Sequence, residues 1–114
     1  MPKSVLLVLT NPTEGQDAEF NRWYDDEHLS DVLKVTDAAA AQRFRINPAL
    51  ENGADFPWRY LAIYEIDNEY VEAFKADLDR RAGTEVMPLS PAFDPNGVKL
   101  FYAHAIGGRM TVQE

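Results

Sequence analysis

The sequence predicts an α+β sandwich in the order β-α-β-β-α-β, the ferredoxin-like split pattern in which four antiparallel strands carry two helices on one face. Three observations predict it. A Val- and Leu-rich run at 3–10 (KSVLLVLT) and an alternating run at 58–66 (WRYLAIYEI) have strand character. Two stretches, one starting at Asp17 and one over 68–81, space their apolar residues by three and four, as amphipathic helices do. A second alternating run, 98–106, closes the chain.

Each element has its own grounds. Residues 3–10 are aliphatic on both alternating sets, which suggests a strand buried on both faces. Asn11-Pro12 and Gly15 then mark a turn. Asp17 is a plausible N-cap, with acids suiting the first turn of the helix dipole. Phe20, Trp23, Tyr24 and Glu27 follow the helical rhythm, and Phe20, Tyr24 and His28 form an i, i+4, i+8 ridge. In 38–46 the alanines favour helix, but Gln42, Phe44 and Ile46 alternate with Ala41, Arg43 and Arg45, which fits a strand better. The stretch 47–57, with two prolines, Asn52 and Gly53, is a loop. In 58–66, Tyr60, Ala62, Tyr64 and Ile66 share one face, opposite Leu61, Ile63 and Glu65. The second helix is capped by Asp67 or Asn68 and carries a stripe of Tyr70, Val71, Phe74 and Leu78. A proline-punctuated segment, 83–97, leads to the last strand, where Leu100, Tyr102 and His104 alternate with Lys99, Phe101 and Ala103.

At 114 residues the chain is one domain, and 46% hydrophobic with 26% charged residues suits a soluble globular protein with a real core. With no cysteine, disulfides, thiolate nucleophiles and Cys-based zinc or iron–sulfur sites are excluded. A net charge of −8, with Arg80-Arg81 flanked by Asp77 and Asp79, argues against nucleic acid and against anionic membrane surfaces. No stretch resembles a signal peptide or approaches the roughly 20 apolar residues of a membrane span, so a cytoplasmic location is expected. Helices on one face of a sheet that is apolar on both would leave a patch too large for a monomer. A two-fold homodimer packing sheet on sheet is the expected remedy.

The stretch FNRWYDDEHLSDVL at 20–33 holds the main functional candidate. His28 follows two aromatics and three acids. On a plain helix it would be an end residue suited to the negative pole of the dipole, with Glu27 and Asp31 beside it. The ridge instead places its imidazole next to aromatic rings, with LSDVL ready to fold over it. An imidazole in that setting is a general base or acid for a phenol or an activated C–H, and Asp31 or Glu27 could fix its tautomer. His104 reads either as a satisfied core or interface histidine or as an acid–base partner of His28 across a pocket. Arg43, mid-strand, must meet a protein or substrate carboxylate or lie on an exposed edge; against substrate it would stabilise an oxyanion. Tyr60, Tyr64 and Tyr102 are core aromatics or orienters of a phenolic or enolic oxygen, and Trp23 and Trp58 are core rings or ligand platforms. The segment 88–97 (PLSPAFDPNG), with Phe93 at its tip, is either a lid or a connector wrapping a dimer partner. There is no GxGxxG, phosphate loop, metal triad or serine elbow, so neither a nucleotide nor a metal is expected.

NPTEG at 11–15, FNRWYDDEH at 20–28, DVL at 31–33, AQRFRI at 41–46 and KLFYAHAIG at 99–107 together resemble the dimeric α+β barrel superfamily, its EthD-like branch above all. The resemblance covers most of the chain. It implies a dimeric barrel in which the Trp-Tyr-to-His pattern falls on Trp23, Tyr24 and His28, the histidine ends the first helix and faces a cavity between helices and sheet, and the strand-two basic residue is Arg43. Where family members often have Pro-Gly after the first helix, this chain has Thr36-Asp37. The superfamily includes cofactor-free monooxygenases, lactone isomerases, polyketide cyclases and haem-binding enzymes, and fold does not choose among them.

The expectation is therefore a homodimer that binds a small aromatic or polyketide-like molecule and, without a cofactor, transfers protons in a lyase, isomerase or cyclase reaction. His28, Arg43 and Tyr64 would be catalytic. Trp23, Tyr24, Tyr60, Tyr102, His104 and Phe93 would line the substrate site. A cofactor-free monooxygenase, a non-catalytic binding protein and a haem protein are the alternatives.

Overall fold

In the computed structural model, which describes residues 3–48, 50 and 56–112, the order is as expected. Strand β1 is Lys3–Thr10, β2 Ala40–Arg45, β3 Tyr60–Asp67 and β4 Lys99–His104. They form one antiparallel sheet in the spatial order β2-β3-β1-β4. Much of the expected 47–57 loop lies outside the described residues.

The first helical region is one rod with a defect. It runs as α1 (Asp17–Trp23), a π-helical turn (Tyr24–His28) and α2 (Leu29–Val35). Three expectations are corrected here. Asp17 is the first helical residue rather than the N-cap, which is Gln16, and its carboxylate accepts from Arg59 instead. His28 does not end the helix: LSDVL continues it to Val35, where Thr36 stops the helix by turning extended. Tyr70 is 45% exposed, so it drops out of the apolar stripe. It belongs to a short 3-10 turn, Asn68–Tyr70, that leads into α3 (Val71–Arg81). Gly15, at φ 79°, supplies the left-handed residue of the turn between β1 and α1.

Sheet register decides which side chains meet the helices. Ser4, Leu6, Val8 and Thr10 of β1 are buried and sit opposite Ile66, Tyr64, Ala62 and Tyr60 of β3, which are buried too. Between that face and the helices lies the core, built on Phe20, Trp23, Tyr24, Val32, Phe74 and Met87. Burial on both faces of β1 is realised within one chain only at Leu9; Val5 and Leu7 on the outer face are half-buried. The second alternating set of β1 thus reaches the far side of the sheet, where no helix lies.

Phe74 is the keystone of the second helix. It is fully buried, with its ring centroid 6.3 Å from those of both Tyr64 and Tyr102. Phe74→Ala should cost about 3–5 kcal/mol of unfolding free energy, measured by denaturant titration. A loss below 1 kcal/mol would mean that α3 does not depend on this contact.

Candidate functional site

The π-helical turn builds the site. In it the Leu29 amide donates to the Tyr24 carbonyl five residues back, instead of four. Five residues along a regular α-helix are rotated roughly 140° apart, so Trp23 and His28 would face different sides. The wider turn closes that angle. The two rings stack with centroids 4.6 Å apart and planes at 25°, and Tyr24 meets the imidazole edge-on at 5.0 Å.

These three side chains line a cavity of about 450 Å³ between the helices and the sheet. Leu6, Val8 and Thr10 of β1 and Tyr64 of β3 form its floor. Leu78, Asp79 and Ala82 of the α3 end form one wall, and Leu89, Phe93, Val98 and Leu100 close it. The segment 88–97 is thus a wall of the cavity within its own chain. Its backbone is tied to the β1 exit by bonds from the Thr13 amide to the Ala92 carbonyl (2.6 Å) and from the Asp94 amide to the Asn11 carbonyl (3.2 Å).

His28 is 9% exposed, and burial pushes its imidazole down to about 4. The ring is therefore neutral at pH 7. Neither expected carboxylate orients it: Glu27 pairs with Arg22 at 2.9 Å, and Nδ1 is buried with no hydrogen-bond partner among the described residues. That leaves Nε2 as the nitrogen able to meet a ligand. Burial also raises the Tyr24 and Tyr64 phenols above their usual value, Tyr64 strongly, so both stay protonated at neutral pH. They interact with each other in the sense that favours ionisation of Tyr24 over Tyr64.

The other expected residues lie elsewhere. Arg43 does not line the cavity. Its side chain is 11% exposed and bonds to Asp25 (2.9 Å) and Asn21 (2.8 Å), and its guanidinium lies 4.5 Å from the Tyr24 ring centroid. It meets a protein carboxylate, and reaches the site only through that ring. Tyr60 is on the far side of Phe20, hydrogen-bonded to Asn21 (3.2 Å) and Asp17 (3.3 Å). Tyr102 packs against Phe74 and does not line the cavity; burial, then Asp79, raises its phenol to about 12. His104 is exposed and opposite Ser4, beyond the Leu6–Thr10 floor, so it makes no pair with His28. Leu6, Val8, Thr10, Leu78, Asp79, Ala82, Leu89, Val98 and Leu100 were not expected at the site. The period-two set on β1 and the i+4 step from Leu78 to Ala82 were the signals for five of them. Among the described residues there is no group of three or more His, Cys, Asp or Glu side chains suited to a metal ion, and no helix long and apolar enough to cross a membrane.

The architecture is the ferredoxin-like α+β fold found in EthD-like proteins. An EthD-like protein from Ralstonia eutropha superimposes over 96% of this chain and 96% of its own, with a TM-score of 0.68 and 17% identity. A dimeric ferredoxin-like protein of unknown function from Thermobifida fusca covers 91% of this chain and 92% of its own, with a TM-score of 0.59 and 10% identity. In sequence, the chain is 31% identical over 96 residues (82% of it) to core atranone cluster protein 1 of Stachybotrys chlorohalonatus. It spans about a third (35%) of the length of that relative. No family model matches the chain.

The buried imidazole makes stability depend on pH with a definite sign. Unfolded, His28 titrates near its ordinary 6.5; folded, near 4. Between those values the unfolded chain holds a proton that the folded chain lacks, so stability is complete above pH 6.5 and falls as pH drops. From pH 7 to 4.5, denaturant titrations should show a wild-type loss exceeding that of His28→Gln by about 2 kcal/mol. Equal losses would mean that the ring is not held neutral.

Proposed function

We propose that the chain is a cofactor-independent enzyme that moves a proton on a small aromatic or polyketide-like molecule, in the manner of a lyase, isomerase or cyclase. The carrying observation is the neutral His28 imidazole, stacked on Trp23, at an apolar cavity also lined by Tyr24 and Tyr64. The cavity's volume suits a ligand of one to three rings, and its aromatic walls favour a flat one.

In this reading Nε2 takes a proton from a C–H next to a carbonyl. The bonding pair moves onto the carbonyl oxygen, which accepts a hydrogen bond from Tyr24 or Tyr64. The imidazolium formed is a cation on the Trp23 indole face, which offsets part of the burial cost. It then returns the proton at another atom of the substrate or to a leaving group. Arg43 is a positioning residue: its charge behind the Tyr24 ring stabilises negative charge growing on that phenol. The likeness to a core atranone cluster protein supports a small-molecule setting.

Proton–deuterium exchange of an enolisable aryl 1,3-diketone such as benzoylacetone, followed by NMR in D2O, tests the chemistry without knowledge of the substrate. Wild type should accelerate exchange, and His28→Ala should lose about 10²- to 10⁴-fold of that acceleration while staying folded. The missing carboxylate partner of His28 favours a second reading, a binding protein without turnover. That reading is correct if benzoylacetone raises the melting temperature of both proteins alike and exchange is not accelerated by either.

A homodimer completes the proposal. The helix-free face of the sheet presents Leu7 between Ile63 and Phe101, and Leu61 beside Phe44. Phe44 and Phe101 are 40% and 42% exposed, and beyond β4 Ile106, Met110 and Val112 are 86–98% exposed. Such a surface is covered in a stable protein, and a second copy offers the same face by two-fold symmetry. The dimeric relative from Thermobifida fusca supports it. Ile63→Glu, at the centre of the face, should convert a dimer to a monomer in light scattering coupled to size exclusion. A wild-type monomer would refute the assembly.

A further inference from the structure

A second cavity, of about 500 Å³, lies on the other side of α1 and shares no lining residue with the first. Phe20 separates them, its ring centroid 5.5 Å from Tyr24 on one side and 5.5 Å from Tyr60 on the other. Phe56 and Trp58 form an apolar corner of this cavity, their rings 5.4 Å apart and nearly perpendicular at 77°. Tyr60 is its inner wall.

Arginines gather here in a chain of net charge −8: Arg43 and Arg45 on the helix side of β2, and Arg59 beside β3. Two of the three are satisfied internally. Arg59 makes a two-pronged bond to Asp17 at 2.9 and 3.2 Å, and Arg43 bonds to Asp25 and Asn21. Arg45 has no carboxylate partner among the described residues. Its guanidinium lies 5.7 Å from the Tyr60 ring centroid, and the side chain lines the cavity.

We infer that this cavity is a second ligand site, selective for an aryl monocarboxylate. The ligand's ring fills the Phe56–Trp58 corner, and its carboxylate takes the fork of Arg45, the geometry in which a guanidinium is strongest. Neighbouring Asp17 and Asp25, with the acidic chain as a whole, disfavour dianions such as phosphate monoesters. One planar anion of charge −1 matches Arg45, the one arginine of these three without a carboxylate partner among the described residues. The site stands independently of any chemistry at His28.

Benzoate is the probe, with neutral benzamide as control, in calorimetric titrations of the full chain at low salt. Wild type should bind benzoate at least tenfold more tightly than benzamide. Arg45→Gln, an exposed edge-strand change that leaves the core intact, should lose at least tenfold of that affinity, and His28→Gln should lose none. Benzoate should also quench tryptophan fluorescence in wild type and not in Trp58→Phe, since Trp23 belongs to the other cavity. The inference is overturned if wild type binds no benzoate, if Arg45→Gln binds it as wild type does, or if His28→Gln abolishes binding. That last outcome would place benzoate in the first cavity.

Discussion

One hydrogen bond in the wrong register governs the candidate site. Because the Leu29 amide reaches the Tyr24 carbonyl rather than that of Asp25, the helix gains a residue in a single turn. Everything C-terminal to it is rotated relative to α1. That rotation stacks His28 on Trp23, yet keeps Val32 of α2 buried in the common core. A regular helix could seat only one of these faces. The insertion costs hydrogen-bond geometry, and aromatic stacking and burial offset it locally.

The same turn explains the electrostatics. Three successive acids, Asp25, Asp26 and Glu27, precede His28, and in a regular helix one would expect them to hold its proton. Each is drawn or directed away: Asp25 accepts from Arg43, Glu27 pairs with Arg22, and Asp26 is exposed. The imidazole is left with rings for neighbours, so desolvation is unopposed and its proton affinity falls. A neutral imidazole is the form that can accept a proton, though it is a weaker base than one buttressed by a carboxylate. On the proposed chemistry, transfer to it would be favoured where the substrate's own C–H is acidic, so an enolisable, conjugated molecule would suit it better than a simple ester or amide.

Periodicity made the fold legible. Alternation and one aliphatic run located all four strands to within two residues at each end, and the sharing of one face by Tyr60, Ala62, Tyr64 and Ile66 followed from β-pleat, though which face is buried did not. The helical region was legible in kind but not in phase. Nothing in FNRWYDDEH announces a π turn, because its cause is tertiary: Trp23 and His28 both gain by facing the cavity. That is why His28, Trp23, Tyr24, Tyr64 and Phe93 meet at one cavity although the helix was ended too early. Arg43, Tyr60, Tyr102 and His104 lie outside that cavity for another reason. They lie on the correct face of the sheet, but position along a strand decides which cavity, if any, a residue reaches, and alternation carries no such information. Thr10 and Asp79 escaped notice because neither residue type stands out without the fold.

Strand β4 ties the two sides of the sheet together. Leu100 faces the helix side and lines the cavity, while its neighbour Phe101 points to the outer face opposite Leu7. The strand is at the sheet edge, and Leu100 is still 50% exposed where the cavity opens. Pairing of two outer faces through Leu7, Ile63 and Phe101 would anchor β4 from behind and thereby fix the cavity mouth. An edge strand with a free outer face can breathe or bend; one clamped against a second sheet cannot. On this reasoning the apolar outer face does more than hold two copies together. In the proposed dimer it would set how rigidly each copy presents Leu100 and the 88–97 wall to a ligand, so assembly and the shape of the cavity would be coupled through alternate residues of one short strand.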